Sequence, residues 1–206
     1  MISLYDDCLK PLFSTLESNT DQLSSITAMT DGLNEWLLMY FTKVNCNIYG
    51  TVTYPSGVTA TVGTPATPLK ICKPIFATFM LTVPEVLAAV SVPEGGLVNL
   101  FNYIGLKISG QILTWTAAPI IPGIATCSMV TSHFAVIAAD MMLELQQINP
   151  DPAVNKNPTK EIWNIIERRL DSAIKMCPTI PTPYIGAFGP GVFNGIAELN
   201  LNPEGI

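Results

Sequence analysis

The chain has 206 residues, 49% of them hydrophobic and only 13% charged, with a formal net charge of −6 and a mean hydropathy of +0.38. A soluble domain is typically about 25% charged, so something other than ionic surface must keep apolar area out of water. Basic residues gather no further than Lys70/Lys73 and Arg168/Arg169, which excludes a nucleic-acid binder that needs a basic footprint. Five dispersed cysteines (Cys8, Cys46, Cys72, Cys127, Cys177) show no CxxC spacing and read as reduced, apolar side chains, not as a disulfide scaffold.

Helix, sheet, helix and an irregular tail follow in order, which predicts an α+β fold with a helical core. The opening MISLYDDCLK carries acids where a secretory leader carries bases. Ser3 is placed as an N-cap, with Asp6 and Asp7 in the first turn, and Pro11 breaks or kinks that segment. Ile26, Met29, Leu33, Trp36/Leu37 and Tyr40 recur at steps of three or four and predict a helix. Gly32 weakens it by about 1 kcal/mol relative to Ala. Residues 47–63 predict a β-hairpin around the Pro55-Ser56-Gly57 turn, with one packed face and one threonine face.

After a Pro/Thr connector at 64–68, Pro74, Pro84 and Pro93 divide the apolar stretch 71–92 into short pieces, and Pro84-Glu85 opens a helix. Leu97, Leu100, Phe101, Ile104 and Ile108 form a second helical stripe, followed by a short strand at 111–116 and a turn at 119–123. From Thr126 or Ser128 to Ile148 the expectation is the longest central helix, apolar on most of its circumference and therefore buried. The region 97–145 is the most apolar, and a membrane-associated protein using it is one alternative. Asn99, Asn102, Lys107, Gln111, Pro119, Pro122, His133 and Asp140 interrupt it before about 18 apolar residues accumulate, so membrane is disfavoured.

The stretch NPDPAVNKNP sustains neither helix nor sheet. The expected division is a main α+β domain at 1–148, a linker at 149–158, a helix at 159–177 capped by Thr159, and an extended, strand-forming C-terminal arm at 178–206. Within the arm, 192–201 is expected as one strand. Asn47–Val52 and Val192–Ala197 share a loose glycine-strand grammar, too short to be a repeat.

Candidate chemistry is sparse. His133, the sole histidine, lies seven residues before Asp140, and a small soluble enzyme using that pair as base and orienting acid is a second alternative. No nucleophile motif surrounds Ser128 or Ser132. Asp6 and Asp7 serve the first helical turn. The glycines of 186–191 lack the Lys-Ser/Thr of a phosphate loop. No catalytic, cofactor-binding or metal residue is assigned, and Trp36 and Trp163 fall on core stripes. The tail is the sharper feature. A Pro/Gly-rich segment frays unless held, and an adjacent subunit accepting it as an added strand would hold it. Tyr184, Phe188, Phe193, Ile196 and Leu199 are the interface candidates on that reading. Truncation after Cys177 is then expected to leave a folded domain that no longer associates.

The helix Trp163–Lys175 with its extended tail through Phe193-Asn194-Gly195, and the hairpin NIYGTVTYPSGVTATVG, resemble in style the virion proteins of tailed bacteriophages. The resemblance implies a non-enzymatic tail, baseplate or neck subunit, assembled in the host cytoplasm into the virion. Its partners would be copies of itself or other virion proteins, with no small-molecule substrate and no cofactor. It transfers no functional residue.

Overall fold

The computed structural model describes residues 3–16, 21–70, 72–75, 80–93, 95–109, 113–117, 124–131, 133–151 and 153–201. The α+β architecture holds. Ser3 caps the first segment, its hydroxyl accepting from the Asp6 N–H at 3.2 Å. That segment is a π-helical turn, Leu4–Leu9, running into α1, Lys10–Ser14. The change of helix type, with Lys10 N–H donating back to the Tyr5 carbonyl, precedes Pro11, which has no N–H to give. Helix α2, Gln22–Lys43, is capped by Asp21, whose carboxylate accepts from Ser24 N–H at 2.7 Å. The predicted stripe is buried, together with Ala28, Thr30, Gly32, Asn34 and Phe41. Gly32 has a packing reason: a Cβ there would meet the Leu9 side chain at 2.5 Å.

Helix α2 feeds β1, Asn45–Thr53, which turns through Gly57 (φ 82°) into β2, Thr59–Val62. Their register sets Thr51 against Thr61 and Thr53 against Thr59, all four exposed, so the threonine face is as expected. Strands β3 (Leu69–Lys70) and β4 (Cys72–Ile75) follow, then α3 (Val83–Val90) and α4 (Gly96–Ser109). Strands β5 (Leu113–Ala117) and β6 (Ile124–Met129) lead to α5, His133–Leu145. Helix α6, Pro158–Lys175, packs on α5, and β7 (Thr179–Ile180), β8 (Thr182–Phe188) and β9 (Gly191–Asn200) end the order.

The strands pair in two sheets. β1 pairs β9, β9 pairs β8, β7 pairs β6, β6 pairs β5, β5 pairs β4, and β3 pairs β1, every one antiparallel. Two consecutive pairs, β3/β4 and β7/β8, each divide their pairing between the two sheets, as strands do at sheet corners. The inner sides of β1 and β9 join α2, α4, α5 and α6 in one core: Ile48, Val52, Phe193 and Ala197 are fully buried beside Leu33, Ile104, Leu170 and Ile174.

Three expectations are corrected. Residues 124–129 are strand, and the helix expected from Thr126 or Ser128 starts at His133. A short apolar run fits either period, and pairing to β5 on one side and β7 on the other decides for strand. Nor is α5 buried all round, since Val136 and Leu143 face outward. Helix α6 is capped by Asn157, not Thr159: the Asn157 side chain accepts from Lys160 N–H at 3.0 Å and Pro158 takes the first turn.

The third correction concerns the tail. It forms strands, but its partner is its own chain. β9 runs along all of β1, from Asn45 opposite Asn200 to Thr53 opposite Val192. The two segments with similar glycine grammar are cross-strand partners, Gly50 lying opposite Gly195. The strands approach so closely there that a Cβ on Gly50 would overlap the Asn194 carbonyl. One on Gly195 would sit 2.5 Å from the Phe193 ring.

Truncation after Cys177 therefore removes β9, which pairs with β1 along its full length, and uncovers Cys46, Ile48 and Val52. The truncated chain is expected to lose cooperative unfolding by calorimetry, and a sharp transition would contradict this. Gly195→Val is expected to lower stability by about 1–3 kcal/mol, read as a lower denaturant midpoint with an unchanged slope.

Candidate functional site

Alternation along β8 and β9 sorts the tail residues into two faces. Tyr184, Phe193 and Leu199 are buried in the chain's own core, the rings of Tyr184 and Phe193 5.9 Å apart. Phe188 is half-buried against that core. These four turn inward, and Ile196 alone of the five interface candidates faces out. Its neighbours on the outer face are the residues that alternation selects. Ile185 is 72% and Val192 51% exposed, with Pro183 and Ala187 also exposed. Register places Pro183 opposite Ile196 and Ala187 opposite Val192, so they form one patch. No charged residue occurs from Pro178 to Ala197.

The glycine-rich stretch 186–191 is the hairpin turn that builds this face. Phe188 pairs with Gly191, leaving Gly189-Pro190 as the two-residue loop. Gly189 has φ +56°, the backbone that the first loop position of such a hairpin requires.

The histidine pair is not assembled. His133 and Asp140 stand two helical turns apart, about 10.5 Å along the axis. Asp140 instead meets Arg169, its Oδ2 3.6 Å from Nη1. His133 Nδ1 is buried without a hydrogen-bond partner. Ser132 and the Ser128 side chain lie outside the described residues, as does the Trp115 side chain. Trp36 and Trp163 are core residues, packed on Tyr40 and Phe13. Among the described residues no cluster of His, Cys, Asp and Glu fits a metal ion. Among them, too, no helix is long and apolar enough to cross a membrane.

The charged residues act as clasps between elements. Asp6 of the π turn pairs with Lys160 of α6 at 2.5 Å, and Asp7 accepts from Ser3 N–H at 2.7 Å. Glu85 at the start of α3 accepts from Thr82 Oγ1, from Tyr103 of α4 at 2.5 Å, and from Lys107 at 3.0 Å. These donors hold its carboxyl down at about 2. Both arginines of α6 grip Glu144 of α5. Asp171 accepts from Tyr40 at 3.1 Å and from Lys175 at 2.8 Å. Burial pushes the Cys8 thiol up to about 12 and Cys177 to about 11, so neither offers a thiolate at neutral pH.

Two further clasps carry no sequence signal. Asn34, buried on α2, reads one backbone unit at both ends. Its Nδ2 donates to the Leu81 carbonyl at 3.0 Å and its Oδ1 accepts from Leu81 N–H at 2.8 Å. Glu167 of α6 accepts from Leu4 N–H at 2.8 Å, which ties the N-terminus down. Burial, then Asp171 and Asp7, raise its carboxyl, against the lowering effect of the Leu4 and Ser3 hydrogen bonds. The arrangement positions surfaces; it brings no acid, base and nucleophile together among the described residues.

No protein-family model, curated protein or solved structure matches this chain.

Glu167→Gln keeps an acceptor for Leu4 and removes the charge that burial penalises. Because the folded carboxyl is raised, the penalty is present at neutral pH and disappears as pH falls below the unfolded value. The variant is expected to melt higher than wild type at pH 7, with the difference vanishing by about pH 4. A lower melting temperature at pH 7 would contradict the assignment.

Proposed function

We propose that this chain is a non-enzymatic structural subunit of a large protein assembly. The virion of a tailed bacteriophage is the setting that the style of the sequence implies. Its means of action is packing of rigid outer faces against neighbouring subunits. A free arm is not needed for this, because the tail is spent on the chain's own sheet.

The observation that carries the proposal is the outer face that β8 and β9 share between Pro183 and Ile196, which carries no charged residue and has Asn194, opposite Ile185, among its apolar side chains. Ile185, Val192 and Ile196, with Pro183 and Ala187, stand side by side in water. Scattered apolar residues on a surface are ordinary, but a contiguous patch marks an interaction site. The composition points the same way. With so few ions on a chain of this hydropathy, burial between subunits supplies what charge does not. Obligate interfaces are the more apolar kind.

The double variant Ile185→Glu/Val192→Glu changes two exposed side chains and leaves the core untouched. Wild type is expected to grow into species larger than a dimer as concentration rises in analytical ultracentrifugation. The variant is expected to stop growing while its melting temperature stays within a few degrees. Wild type that never exceeds a dimer, or a variant that grows as wild type does, would overturn the proposal.

A further inference from the structure

We draw no further inference here: the strongest candidate, the open cleft between α5 and α6 lined by Glu144, Gln147, Glu161, Asn164, Ile165 and Arg168, has its carboxylates already held by Arg168, Arg169 and Asn155, and nothing in the structure shows what would occupy it.

Discussion

The pairing of β1 with β9 is the constraint on which the rest of the molecule depends. It joins residues 45–53 to residues 192–200 over nine positions, 139 to 155 residues apart along the chain. On one side β1 carries β2 and β3, and on the other β9 carries β8. Their inner side chains, Cys46, Ile48 and Val52 with Phe193, Ala197 and Leu199, complete the core that the helices begin. Such a contact costs loop entropy before it returns burial. The C-terminal strand is also an inner one, between β1 and β8, so the sheet is not covered without it.

The same arrangement resolves how a chain so poor in ions meets water. Outward positions on the hairpin are threonine, which hydrates without charge. The ions that exist are used between elements: Glu85 joins α3 to α4, Glu144 joins α5 to α6, and Asp6 and Glu167 hold the N-terminal turn to α6. Surface pairs of this kind contribute about 0–1 kcal/mol each, so they set geometry more than stability. Exposed apolar side chains are spread over the described residues, Leu106 and Val154 among them, and Ile185, Val192 and Ile196 share the outer face of β8–β9. The chain satisfies its own interior and still presents apolar area, a condition that favours packing between molecules.

Much of this fold was legible in the residues, and the failures have physical causes. The stripes of α2, α4 and α6, the threonine-faced hairpin and the strand at 191–200 followed from periodicity and turn chemistry. Periodicity does not name a partner, however. An extended tail looks the same whether it pairs at home or abroad, and only tertiary structure placed β9 on β1. The clue was the glycine shared by the two segments, since close backbone approach needs glycine on both strands. The run 126–129, expected as the start of a helix, is strand because a few apolar or small residues suit either period until neighbours choose. Of the candidates in the tail, Tyr184, Phe193 and Leu199 fill the core, and the outer face belongs to Ile196 and the residues between the aromatics. Asn34 gave no signal, because an asparagine that reads one distant backbone unit looks like any other in sequence.

Native-state hydrogen exchange tests the central claim most directly. If β1 and β9 are one structural unit, the amides of 46–52 and 193–199 open together, with the free energy of global unfolding and equal sensitivity to denaturant. Exchange of 193–199 many-fold faster than 46–52, with no change in the protection of β1, would show the C-terminal strand to be a separable arm and contradict the account.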